Sequence, residues 1–184
     1  MDYRIRRATL EDRAALERLI AESARGLSRG DYTGEQVEAA LASVFGVDTD
    51  LIHDGTYYVA EVQGSAVGCG GWSKRRTLFG GDRYGARDSG HLDPRTEPAK
   101  VRAFFVRPDW ARRGVAGAIL ETCEREAKAE GFRALELMAT LPGVPFYAAR
   151  GYEGAERVSY EIAEGVTIEF VPMRKELKEV ISDE

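Results

Sequence analysis

The chain has 184 residues, a size that suits one domain, with 31 acidic and 26 basic side chains and a formal charge of −5. That balance argues against a general nucleic-acid binder, whose affinity comes from neutralising phosphates, and 43% apolar with 31% charged residues argues against disorder. No apolar run approaches the ~18 residues of a membrane span, no apolar signal core is seen, and Cys69 and Cys123 make neither a disulfide framework nor an all-cysteine zinc site; the expected setting is cytoplasmic, away from nucleic acid and membrane.

Tyr3 and Ile5 alternate with Arg4 and Arg6, the period of a half-exposed strand over residues 3–7. Thr9 with Asp12 is a capping-box variant, and Leu16, Leu19, Ile20 and Ala24 follow at helical spacing, so a first helix is expected over 10–24. After a loop at 25–31, Thr33 and Gln36 form a second capping box, and Val37, Ala40, Leu41 and Val44 carry a helix to about Phe45. Asp54 and Gly55 signal a turn, and residues 56–62 and 66–73 read as a hairpin turning at Gln63, Gly64 and Ser65. Gly68, Gly70 and Gly71 weaken its second strand and point to close backbone approach.

Residues 74–100 show no period. With four glycines, two prolines, seven basic and four acidic residues, they form a long inserted loop of net charge +3, of the kind that serves as a lid or a dimer contact. A strand over 101–106 stops before Pro108. A helix over 114–130 places Val115, Ala118, Ile119, Thr122 and Cys123 on one face and ends at Gly131. Then come a strand at 134–140, a short helix at 145–149 stopped near Gly151, and a hairpin pairing 158–162 with 166–171 across Glu164 and Gly165. The charged tail, 174–184, reads as a frayed helix without a defined place. The order βααβββαβαββ describes a mixed α+β sheet with helices on both faces in one domain over residues 1–184, with strands 101–106 and 134–140 parallel.

The stretch from Phe104 to Leu120 carries chemistry. A strand ends, proline breaks it, and Arg112 and Arg113 lead into a helix whose first turn holds Gly114, Ala116 and Gly117. The first N–H groups of a helix lack internal partners, its dipole is positive there, and small residues let a phosphate reach the backbone. The pattern points to a phosphate-bearing ligand; a glycine-rich helix start made for packing alone is the alternative. No Lys-Ser or Lys-Thr pair is present for a P-loop, and arginines stand where a dinucleotide fingerprint needs glycines.

Here the chain resembles the GNAT acetyltransferase superfamily. Ala111, Arg112, Arg113, Gly114, Val115 and Ala116 match its Gln/Arg-x-x-Gly-x-Gly/Ala motif except at Ala111, and the run Pro145, Phe146, Tyr147, Ala148, Ala149, Arg150, Gly151, Tyr152 is similar to its second segment. The resemblance implies a GNAT-like acyl-CoA N-acyltransferase fold with acetyl-CoA as cosubstrate and no metal. Acetyl-CoA would lie where strand 101–106 splays from strand 134–140. Main-chain groups of Phe104, Phe105 and Val106 would meet the acetyl carbonyl and pantetheine arm, and the amides of Arg112, Arg113, Gly114, Val115, Ala116 and Gly117 the pyrophosphate. Tyr147 would protonate the leaving thiolate, and Tyr152 would be structural. The acceptor would be a small-molecule or peptide amine that attacks the thioester directly, and a homodimer is possible. A non-catalytic acyl-CoA-binding module and a transferase using another acyl donor stay open.

No general base is evident. Glu136, His53, His91 and Asp93 are candidates, each open to a plain structural role, and His91 with Asp93 is too sparse for a metal. Trp72 is expected in the core. Residues 26–33 and 74–100, with Tyr32, Arg75, Arg76, Arg83 and Arg87, are the expected acceptor grip.

Overall fold

Seven strands form one mixed sheet in the computed structural model, which describes residues 2–85 and 87–179. They are β1 (Arg4–Arg7), β2 (Tyr57–Val62), β3 (Ser65–Ser73), β4 (Ala99–Val106), β5 (Ala134–Thr140), β6 (Val158–Ala163) and β7 (Val166–Glu176). Across the sheet they run β1-β2-β3-β4-β5-β7-β6. Every pairing is antiparallel except β4 with β5, which is parallel, as the strand–helix–strand unit requires.

Period-two alternation divides the core in two. Along β2, Tyr57 and Val59 face α1 (Arg13–Leu27), α2 (Gly34–Leu41) and α3 (Thr49–Asp54), whereas Tyr58 and Ala60 face α4 (Val115–Ala129). Tyr147 from α5 (Val144–Ala148) joins the α4 side. The apolar stripes expected of the helices are the buried ones: Leu16, Leu19, Ile20 and Ala24 on α1, and Val115, Ile119 and Cys123 on α4. Both expected capping boxes are formed, at Thr9 with Asp12 and at Thr33 with Gln36.

The glycines of β3 have a steric reason. A Cβ on Gly68 would lie 2.6 Å from Val115 Cγ1, and one on Gly70 would lie 2.6 Å from the Phe104 ring. Their absence lets the first turn of α4 and the Phe104 side chain settle directly on the strand. Trp72, at the end of the same strand, is fully buried and meets Phe132 edge-on at 5.9 Å.

Several boundaries differ from expectation. α3 was not foreseen: it has six residues and one buried side chain, Leu51, too few for a period to show. Its signals are its ends, the Asp48 side chain accepting from Leu51 N–H and Gly55 at φ 72° closing it. α1 continues to Leu27, and α2 stops at Leu41. The tail is no frayed helix where it begins, because Arg174 to Glu176 complete β7, paired with β5 from Thr140↔Phe170 to Ala134↔Glu176. The rest of that expectation, at 180–184, lies outside the described residues.

The inserted segment is tied down rather than loose. Arg75 makes two hydrogen bonds of 2.7 Å to Asp54, Arg87 reaches Asp48 and Asp50, and Gly81 and Asp82 donate to the carbonyls of Val44 and Val47. At the centre, Asp48 pairs with Arg102 of β4, both side chains almost fully buried. Removing one partner of such a pair leaves an uncompensated charge in low dielectric. Asp48→Ala is expected to destabilise the fold by about 3–5 kcal/mol. Urea unfolding checks this; a midpoint unchanged from wild type would show that the pair contributes nothing.

Candidate active site

The parallel ladder of β4 and β5 holds only at Ala99↔Leu135 and Lys100↔Glu136, and an ion pair joins the side chains of the second couple. Beyond it the strands part. The cause lies at Ala103, whose φ of 58° is a left-handed conformation inside a strand, where the β3–β4 register slips between Cys69 and Gly71. The Ala103 carbonyl is held by Tyr57 Oη at 3.4 Å and Cys69 Sγ at 3.7 Å, two buried groups beneath the bulge. This bend re-aims Phe104, Phe105 and Val106.

The gap is part of a cavity of about 830 Å³, within the range of small-molecule sites. β4 contributes residues 101–106, β5 Leu137, Met138 and Thr140, and the start of α4 Gly114 to Gly117. Tyr147 and Arg150 close it from the α5 side, and Phe45, Leu78, Phe79 and Phe170 from the other. Most of the expected cofactor residues therefore share one space, which Arg113 borders by stacking on Trp110 at 4.9 Å.

Phe105 has another task. Arg107 N–H bonds Val67 O on β3, so by alternation Phe105 N–H also faces β3, in the register that pairs Phe105 with Cys69. Its ring packs on Phe45 at 5.7 Å. The main-chain groups that face the gap are those of Phe104 and Val106, and Val106 N–H reaches Ser23 Oγ of α1 at 3.2 Å.

The start of α4 leaves several amides without a partner in the helix. Arg112 at φ 59° and Gly114 at φ 82° bend the chain into α4, whose cap residue Gly114 offers no side chain to its amides. The first intrahelical bond runs from Ala118 N–H to Gly114 O, so the amides of Val115, Ala116 and Gly117 precede the ladder. Arg150 was not singled out from sequence. Its guanidinium lies on Phe146, with the central carbon 4.3 Å from the ring centre, and stands over Gly117.

Tyr147 is buried among Phe104, Phe146 and Tyr152, with ring centres 6.3, 4.9 and 5.7 Å away. Burial raises its pKa above the ordinary tyrosine value, so the phenol keeps its proton at neutral pH. Tyr152 is buried too and donates to Glu124 Oε1 at 3.0 Å, a structural bond.

The base candidates are elsewhere. Glu136 is occupied by Lys100, Asp93 by Arg95, and neither His53 nor His91 lines the cavity. Asp31 and Asp48 are the carboxylates among the described lining residues, and Asp48 is held by Arg102 and Arg87. The expected acceptor grip is also corrected. Tyr32 Oη donates to Glu169 O at 2.6 Å and accepts from Leu141 N–H at 2.9 Å, so the phenol clasps β7 to the end of β5. Arg75, Arg76, Arg83 and Arg87 all point into the fold's own acceptors. The inserted segment instead brings Leu78, Phe79, Gly80 and Gly81 to the cavity wall.

A family model described as the acetyltransferase (GNAT) family matches residues 18–152, so the chain belongs to that family. No curated protein matches it by sequence. Among solved structures it is similar to the GCN5-related N-acetyltransferase of Rhodopseudomonas palustris, with 22% identity and a TM-score of 0.72 over 96% of this chain and 97% of that one. It is also similar to the PaiA N-acetyltransferase of Thermoplasma acidophilum, solved with coenzyme A, at 14% identity and TM-score 0.65 over 96% and 100%. Ard1 of Thermoplasma volcanium matches at 16% identity and TM-score 0.62 over 97% and 100%. At these identities the neighbours establish the fold, and the family model establishes the membership.

Burial raises Tyr57, Tyr147 and Tyr152 alike. Below the unfolded value of about 10 both states keep these protons; above it only the unfolded chain ionises, so stability falls as pH rises from about 10. Phenolate absorbance of the folded protein is expected to leave at least these three un-ionised near pH 11, with a lower urea midpoint than at pH 8. Ordinary titration of all eight tyrosines in the folded state would contradict it.

Proposed function

We propose that the protein is an acetyl-CoA-dependent N-acetyltransferase that acylates an amine of a small molecule or peptide by direct attack. What supports this most is the meeting, in one cavity, of an open strand edge at Phe104 and Val106, an uncapped helix start at Gly114, and the buried Tyr147 phenol. These fit the donor part by part. Phe104 and Val106 would hold the pantetheine arm and carbonyl, and the amides of Val115 to Gly117 with Arg112 the pyrophosphate. The donor supplies a thioester, an acyl group already activated toward amines.

The chain's residues supply position and charge. A Phe104 N–H aimed at the thioester carbonyl stabilises negative charge developing on its oxygen, and the preset bulge at Ala103 lowers the cost of reorganisation. Tyr147 holds its proton until the departing sulfur takes it. The amine gives up its proton to water at the open end of the cavity, near exposed Asp31. No acyl-enzyme is needed. Burial lifts Cys69 to about 12 and Cys123 well above the ordinary thiol value, so neither is a thiolate at neutral pH. The PaiA protein, solved with coenzyme A, supports the same ligand here.

Tyr147→Phe keeps the aromatic packing and removes the proton. It is expected to lower kcat by roughly 10²–10⁴-fold while coenzyme A binds within about twofold of wild type. Thiol release from acetyl-CoA against a panel of amines, with calorimetric titration of coenzyme A, checks both; an unchanged kcat would remove Tyr147 from the mechanism. Phe79→Ala, in the wall away from α4, is expected to raise acceptor KM several-fold and leave coenzyme A affinity as it was. A change confined to the cofactor would overturn that assignment.

A further inference from the structure

Arg150 follows α5, yet its guanidinium belongs to the start of α4. A Cβ on Gly117 would fall 2.2 Å from Arg150 Nη2 and 3.0 Å from its guanidinium carbon, so the head lies directly over the backbone of the first helical turn. Electrostatics disfavours that placement. The turn carries the positive end of the α4 dipole and its unbonded amides, and Arg112 stands beside it. Among the described residues Arg150 and Arg112 make no ion pair and no side-chain hydrogen bond, whereas Arg75, Arg87, Arg102, Arg107 and Lys175 all have carboxylate partners. The Arg150 guanidinium is also fixed by stacking on Phe146, its central carbon 4.3 Å from the ring centre. A cation held rigidly against other positive groups calls for an anion of more than one charge between them.

We infer that Arg150 is a pyrophosphate-binding residue that closes over the α4 start from the α5 side, and that residue 117 is glycine to admit its guanidinium. The inference rests on the acetyl-CoA reading above and adds a residue from the second motif to the phosphate site of the first. The planar guanidinium offers paired donors to phosphate oxygens, which a helix N-terminus, with its amides on one side only, does not. Arg150 thereby makes the donor site selective for a thioester carried on a diphosphate.

Calorimetric titration of the full chain with coenzyme A and with dephospho-coenzyme A, which keeps the pyrophosphate and lacks the 3′-phosphate, tests this. Arg150→Ala and Arg150→Met are both expected to weaken both ligands by roughly 10- to 100-fold, with Arg150→Lys between them and wild type. The ligand-free melting temperature should fall only slightly, because Arg150 has no carboxylate partner to lose and gives up only its stacking on Phe146. Wild-type affinity in Arg150→Met would show that the guanidinium takes no part in holding the ligand and overturn the proposal. A loss seen with coenzyme A but not with dephospho-coenzyme A would assign Arg150 to the 3′-phosphate and overturn it too. Wild-type protein that binds neither ligand would remove the functional reading and this inference together, whereas wild-type binding with undiminished Arg150→Ala binding removes this inference alone.

Discussion

The separation of β4 from β5 is the feature on which the rest depends. Two neighbouring parallel strands would ordinarily pair along their whole length, since an unpaired backbone group away from water is costly. Here the ladder ends after Lys100↔Glu136, and Ala103 turns left-handed three residues later. The bulge is overdetermined from below: Tyr57 Oη and Cys69 Sγ take its carbonyl, and Arg102, just before it, is locked to Asp48. Such strain persists where the surroundings enforce it, and it tends to mark functional sites. The β4 edge beyond the bulge is thereby left without a neighbouring strand.

Around that edge the sheet is shaped by what it omits. Gly68 and Gly70 let Val115 and Phe104 sit on β3, and this closeness places the α4 start at the mouth of the gap. The same residues that look like weak points in a strand are the reason a helix dipole and an open strand edge share one cavity. Tyr147 reaches it from the far side, embedded in aromatic rings, so its packing and its raised pKa have one cause, burial.

Charge is divided by purpose. Arginines of the inserted segment face inward to Asp48, Asp50 and Asp54 and anchor the segment as a wall. Arg112 and Arg150, at the helix start, lack carboxylate partners among the described residues and lie on the cavity. A formal charge of −5 conceals both populations. A side chain's role as anchor or ligand depends on what stands within about 4 Å of it, the reach of an ion pair, and composition carries no such information.

What the sequence determined by itself is local. Capping boxes at Thr9 and Thr33, the α4 stripe and the bounds of β5 follow from bonds and spacings within a few residues, and so does the glycine-led start of α4 at Gly114. The two linked motifs made the family legible. Tertiary structure alone decided the long-range matters: the break in the β4–β5 ladder, the assignment of Phe105 to β3, the use of Tyr32 and four arginines as internal ties, and the arrival of Arg150 over Gly117. Each joins residues that are distant along the chain, Arg150 and Gly117 being 33 positions apart, and such contacts leave no period or spacing to read.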